Sequence, residues 1–449
     1  MGKAIDKLKD IKIVKTFTNI WRIEDLRSRI LFTLVFVAIY RLGSYVVLPG
    51  VDTEALQGLR NQTEGGLMSL LDMFSGGAFS QASIFALGIM PYISASIVIQ
   101  LLGIAVPYFQ KMQREGESGR RKMNQYTRYL TVAILLFQGP MYLLNLKMQT
   151  QGSAIYSSLD WNVFILVSAI ILAAGSMFVL WLGERITDKG IGNGVSIIIM
   201  IGIIARFPEA VIQEFSSRIE GQGGLVMFLV EIVLFLVVIA AAILLVQGVR
   251  QVPVNYAKKI AGARQIGGAR QYIPLKPYAA NVMPIIFAQA IMFIPVTLAQ
   301  FSGSKLNPLV SQLIDNESFG YNLIFAILIV LFTYLYTAIT INPVQMAEDM
   351  KRNNGFIPGV KPGKDTADYI DKIMSRITLP GSLCLALIAI LPAFAGLFGV
   401  QREFAGFFGG TSLLILVGVV LDTLMQIESH LMMRHYDGLL DRGRVRGEH

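Results

Sequence analysis

Residues 224–247 read GLVMFLVEIVLFLVVIAAAILLVQ, an apolar run broken by a single charge, Glu231. An α-helix needs about 20 apolar residues to cross a hydrocarbon core of roughly 30 Å, and this run has that length. With no water to satisfy the backbone, an isolated segment in lipid must be helical. Working outward, comparable runs occur at 30–48, 82–102, 129–146, 161–182, 192–206, 281–301, 321–341, 377–396 and 410–427. The pattern predicts an all-α membrane protein with ten transmembrane helices. Composition agrees: 54% of the 449 residues are apolar and 15% charged, too few charges for a soluble surface of that size.

The connecting segments carry the charge. Lys and Arg mark the cytoplasmic side of a membrane protein. With the N-terminus inside, 32 of the 39 Lys and Arg fall in segments 1–29, 103–128, 183–191, 248–280, 342–376 and 428–449. The external segments hold only Arg60, Lys147, Arg206, Arg218, Lys305 and Arg402, and Arg41 lies within the first span. Both termini are therefore expected in the cytoplasm, and the net charge of +9 follows from this bias. The basic stretch 1–29 precedes an apolar run long enough to span and no A-x-A site follows, so it reads as a retained cytoplasmic segment, not a signal peptide.

Ten spans divide into an N-terminal half (30–206, spans 1–5), an external hinge loop (207–223), a C-terminal half (224–427, spans 6–10) and a cytoplasmic tail (428–449). Halves with an odd number of spans are inverted if they share a fold. GIMPYISAS (88–96) and NVMPIIFAQ (281–289), each in the second span of its half, share the pattern x-(Ile/Val)-Met-Pro-x-Ile-x-Ala.

Several chemistries are excluded. A lone cysteine, Cys384, makes no internal disulfide, and His430, His435 and His449 have no metal-ligand spacing, so no metal is expected. GIGNG (190–194) follows a span instead of a strand and lacks G-K-[ST], which argues against a phosphate loop. No Ser/His/Asp set, H-E-x-x-H motif or paired intramembrane aspartates occur; no catalytic residue, enzyme activity or cofactor is expected. The charges inside spans, Arg41, Glu231 and Asp422, lie near span ends. Arg41 can snorkel to the interface. A coupled transporter would place carboxylates at midplane.

Other stretches suggest mechanism. GGLMSLLDMFSGGAFSQ (65–81) holds a short apolar run, too short to span, followed by Gly76 and Gly77. It reads either as an interfacial helix or as a helix folded back into a central cavity, where non-helical backbone is tolerated. Ile89 with Ile93, and Val195 with Ile199, are each four apart and share a helix face. Loop 248–280 carries Arg250, Lys258, Lys259, Arg264, Arg270 and Lys276, with no acidic residue between Glu231 and Asp315. Val252, Val254 and Tyr256 alternate before the turn-like AGARQIGG, so a basic hairpin is expected. Its partner would be anionic, either lipid headgroups or RNA phosphates. Loop 342–376 contains FIPGVKPG, whose Pro-Gly turns predict a stiff tip.

Read together, MFSGGA (73–78), ASIFALGIMPYISASIVIQ (82–100), EGESGRRK (115–122), WLGE (181–184), GIGNG (190–194), NYAKK (255–259), FIPGVKPG (356–363) and GGTSLLI (409–415) closely resemble the SecY family of protein-translocation channels. The resemblance implies two inverted five-helix halves around an hourglass pore. It implies a pore ring of Ile89, Ile93, Val195, Ile199, Ile286 and Ile415. A plug would lie near 67–77, with Leu67, Met68, Leu70, Leu71, Met73 and Phe74 as its apolar residues. Spans 2 and 3 would part from spans 7 and 8 as a lateral gate to lipid. Arg250, Lys258, Lys259, Arg264 and Lys361 would dock the SecA ATPase or the ribosome. Further implied partners are SecE, SecG, SecDF, YidC, unfolded preproteins with their signal sequences, and membrane lipids, in a bacterial plasma membrane. Two positions depart from the family: Lys361 stands where Arg is usual, keeping the charge without the bidentate fork, and Val47 where a proline is frequent.

Overall fold

The structure, a computed structural model, describes residues 23–52, 56, 72–150, 155–156, 160–221, 224–256, 259–261, 264–266, 270–276, 283–289, 291–292 and 318–444. The chain divides into two compact units, residues 1–208 with 419–449, and residues 209–418.

In the first unit, helices α1 (Glu24–Ser44), α2 (Met90–Ala105), α3 (Pro107–Arg114), α4 (Glu117–Gln149) and α5 (Trp161–Lys189) are followed by α6 (Gly194–Glu220), which leaves the unit after Pro208. Pro91 falls in the first turn of α2 and Pro107 in that of α3, where a missing N–H costs no helical bond. Val106, extended because a proline follows it, ends α2 and lets α3 turn away. Helix α5 packs on α1 and α4, and α4 on α2. Gly139 of α4 lies against Ala169 of α5, where a Cβ would meet the Ala169 Cα at 3.4 Å. A buried apolar cluster joins Leu48, Phe79, Ala82, Leu143, Phe164 and Leu172.

In the second unit, α7 (Gly224–Gln247) leads into β1 (Arg250–Tyr256), β2 (Lys259–Ala261), β3 (Arg264–Ile266) and β4 (Arg270–Leu275). Then come α8 (Phe319–Thr340), α9 (Pro343–Arg352), β5 (Gly355–Phe356), α10 (Lys364–Leu397), α11 (Arg402–Ala405) and the start of α12 (Gly410–Arg444). The expected hairpin is present: β1 pairs antiparallel with β4, from Arg250↔Leu275 to Asn255↔Arg270. AGARQIGG is more than a turn, because β2 and β3 form a second ladder through Lys259↔Ile266 and Ala261↔Arg264. The strand order is β4-β1-β5, and β5 belongs to the other loop, pairing Asn255↔Phe356 and Tyr256↔Gly355.

The expected spans map onto α1, α2, α4, α5, α6, α7, helical residues 283–289 and 291–292, α8, α10 and α12. Seven helices among the described residues are each long and apolar enough to cross a membrane; α2 and α3, bent by 99° from one another, reach that length only when taken together. Helix α1 carries Arg27, Arg29 and Arg41, and most of the span predicted at 281–301 lies outside the described residues. One boundary differs. Residues 207–220, expected as external loop, continue α6 as helix through Pro208. Its buried polar groups there, Glu214 and Arg218, are satisfied internally: Arg218 donates from Nε to Glu214 (2.8 Å) and from Nη2 to the Gly399 carbonyl (2.8 Å), and it pairs with Glu231 of α7. The Gln401 amide donates to Glu214 at 2.8 Å.

Candidate functional site

The aliphatic candidates for a constriction divide between the units. In the first, Ile89 is the N-cap of α2, and its carbonyl accepts from the Ile93 amide at 3.1 Å, so the two stack one turn apart as their spacing predicts. Val195 and Ile199 lie on the first two turns of α6. Ile89, Ile93 and Ile199 are buried and Val195 is half-buried. In the second unit Ile286 is half-buried in the helical stretch 283–289, and Ile415 of α12 is buried.

The segment around the double glycine holds a connected polar network. Of the expected plug residues, Leu67, Met68, Leu70 and Leu71 lie outside the described residues; Met73 and Phe74 are buried in a helical turn at 72–75. Asp72, 4% exposed, forms an ion pair with Arg206 of α6. Its Oδ1 also accepts from the Ser80 amide at 2.8 Å, and Arg206 Nη2 donates to Ser80 Oγ at 3.2 Å. Arg41 Nη1 donates to the Gly76 carbonyl at 2.9 Å, and the Tyr40 hydroxyl to the Ser75 carbonyl at 3.1 Å. Gly76 and Gly77 have φ of 66° and 92°, in the region glycine enters without steric cost. Residues 78–84 are tied on in turn: Tyr142 of α4 donates to the Phe79 carbonyl at 2.7 Å, and Val47 bridges Ser83.

Residues 72–80 are thus packed into the first unit, all but Gly76 buried; the rest of the apolar run, 67–71, lies outside the described residues. Arg41 and Arg206 do not serve as solvent-facing end charges, as expected from the sequence; both turn inward onto this segment. Asp72 inside an apolar run was the available signal, because a buried carboxylate needs a partner.

The loop residues occupy a separate subdomain of the second unit. Val252, Val254 and Leu275 of the hairpin share a buried apolar core with Met350, Ile357, Ile370 and Met374, so the two long loops form one body. Arg250 is exposed at the start of β1; Lys259 and Arg264 lie on β2 and β3; Lys258 is outside the described residues. Lys361 is exposed at the tip, flanked by Gly359 (φ 84°) and Gly363 (φ 106°), and its carbonyl accepts from Thr366 Oγ1 at 2.8 Å.

The GIGNG loop has no free anion cradle. The amides of Ile191, Gly192 and Gly194 donate to Thr33 Oγ1 (3.2 Å), Gln426 Oε1 (2.9 Å) and Thr187 Oγ1 (2.9 Å). Among the described residues, no cluster of three or more His, Cys, Asp or Glu side chains could hold a metal ion.

Known proteins place this architecture. The SecY family profile matches residues 83–424. The chain is 42% identical over 445 residues to the protein translocase subunit SecY of Streptomyces scabiei, covering 95% of this chain and all of that one. It is 39% identical over 426 residues to SecY of Aquifex aeolicus, covering 94% and 98%. A solved protein-conducting channel superposes with a TM-score of 0.61 at 16% identity, covering 90% of this chain and 92% of that one. Sec61 from the canine ribosome–channel complex does so with a TM-score of 0.57 at 15% identity, again covering 90% and 92%. The two solved chains share the ten-helix, two-half fold. Two translocase subunits aligned over nearly the whole length and a profile covering most of the chain place this multi-pass membrane protein in the SecY family.

Proposed function

We propose that the chain, a protein-conducting channel subunit, passes unfolded preproteins across the bacterial plasma membrane and releases apolar segments sideways into lipid. The full-length match to translocase subunits carries this reading. In it, Ile89, Ile93, Val195, Ile199, Ile286 and Ile415 form the constriction, residues near 67–77 form the plug, and spans 2 and 3 part from spans 7 and 8. An aliphatic throat blocks ions by dewetting. It offers no hydrogen bonds, so it accepts any unfolded sequence. Signal sequences leave laterally because burying apolar surface is favourable by about 25 cal/mol per Å².

Both termini and the long loops face the cytoplasm in this proposal, in line with the Lys and Arg bias. The subunit supplies no energy of its own. The shared body of the two loops docks either a translating ribosome or the SecA ATPase. The ribosome is favoured by relatives solved in ribosome complexes. SecE and SecG complete the channel, with SecDF and YidC as accessory partners.

Polar substitution of the constriction tests the proposal. Ile89→Asn, Ile93→Asn and Ile286→Asn wet the throat and raise the resting conductance of planar bilayers containing the channel. Wild-type conductance in all three would remove these residues from the constriction.

A further inference from the structure

Asp72 and Arg206 are almost wholly enclosed, with side chains 6% and 14% exposed, in a chain whose surroundings are largely apolar. A buried ion pair contributes little net stability against apolar residues of the same volume, but losing one partner strands a charge. Such a pair acts chiefly on where its two elements sit. One element is α6. The other is the turn bearing Met73, Phe74 and the double glycine. The pair does not act alone: Arg206 reaches on to Ser80, which donates its amide back to Asp72, and Arg41 of α1 grips the Gly76 carbonyl. Three points of the turn, at its start, middle and end, are therefore held by charged groups from two helices.

We propose that Asp72, Arg206 and Arg41 are positioning residues that hold Met73 and Phe74 in place at rest, so that the ion seal of the channel depends on the Asp72–Arg206 pair. This rests on the channel reading above and adds the residues that set the closed state. The pair lies within the first unit, and neither partner is one of the six constriction candidates or a loop residue.

Resting conductance of the assembled full-length channel in planar bilayers tests it. Asp72→Asn and Arg206→Gln should each raise conductance about tenfold or more, since a stranded buried charge shifts an equilibrium by more than the roughly 1.4 kcal/mol that a factor of ten represents. The double variant should leak no more than either single one, because the pair acts as a unit. Arg206→Lys keeps the charge and should stay near wild type. Arg121→Ala, at an exposed pair with Glu117 on α4, should leave conductance unchanged. Singles as tight as wild type, a double variant that multiplies their leaks, or an Arg206→Lys as leaky as Arg206→Gln would each overturn the proposal. Should the neutral variants fail to insert, Asp72→Glu, which keeps the charge and displaces the turn by one methylene, takes their place: it should leak, and an Asp72→Glu as tight as wild type would overturn the proposal. Ile89→Asn in the same bilayers keeps the two readings apart. If it leaks while the pair variants do not, only the positioning role fails; if it does not leak, the constriction fails.

Discussion

Gly76 and Gly202 meet backbone to backbone. A Cβ on Gly76 would lie 3.0 Å from the Gly202 Cα, and a Cβ on Gly202 would lie 2.7 Å from the Phe74 carbonyl oxygen. Helix α6 approaches the 72–76 turn this closely because neither residue has a side chain. Gly202→Ala should push the turn away at a cost of about 1–3 kcal/mol, the range for overpacking. A lowered thermal midpoint in detergent together with a raised resting conductance is the expected outcome. An unchanged midpoint would mean that the contact is loose.

The Tyr142 hydroxyl reaches the Phe79 carbonyl at 2.7 Å, and the two rings meet edge to face at 4.8 Å. Tyr142→Phe keeps the ring contact and removes the shorter of two bonds to the Phe79 carbonyl, which still accepts from the Ala82 amide at 3.3 Å. The expected loss is about 1 kcal/mol. Tyr142→Ala removes the ring as well and should cost about 3–5 kcal/mol. Unfolding in denaturant separates the two: no loss in Tyr142→Phe would mean that the hydroxyl contributes nothing, and equal losses that the ring contact contributes nothing.

Val254 is fully buried between the hairpin and the 342–376 loop. Val254→Asp places a charge in that core and should unfold the loop body while the membrane helices still insert. Val254→Ala should cost roughly 2 kcal/mol by lost burial and cavity. Limited proteolysis of inverted vesicles should show early cleavage in both loops at once. Cleavage confined to one loop would show that the two are independent.

The basic residues of the hairpin are proposed to contact RNA phosphate or an acidic protein surface. Lys258→Glu with Lys259→Glu should weaken ribosome or motor binding and flatten its dependence on salt, because fewer counterions are released. Titration at several salt concentrations reads this directly. Parallel curves for wild type and variant would place the contact elsewhere.

Lys361 presents one ammonium at the stiff tip between Gly359 and Gly363. Lys361→Arg restores a planar fork able to bind a phosphate or carboxylate in two places, and should tighten docking; Lys361→Glu should weaken it. Identical affinities for all three would remove the tip from the interface.

The sequence already contained the helices. Lipid leaves a buried backbone no other solution, so blocks such as 161–182 and 224–247 specify α5 and α7 from local composition alone. The hairpin was legible for a similar reason, since the alternation of Val252 and Val254 states which face of β1 is covered. The extent of α6 was not legible. Pro208, Glu214 and Arg218 look like loop residues until Glu231 and the Gly399 carbonyl, both distant in sequence, appear beside them.

The partners of the charges were decided only by tertiary structure. Arg41 near a span end is free to snorkel, and nothing local says that it turns to Gly76, 35 residues on; Arg206 and Ser80 are 126 apart. The joining of the two loops through β5 and a common core was hidden for the same reason. Apolarity and periodicity act over a single turn or strand and can be read along the chain. An ion pair or a strand pairing has its energy only where two remote segments meet, and packing alone brings them there.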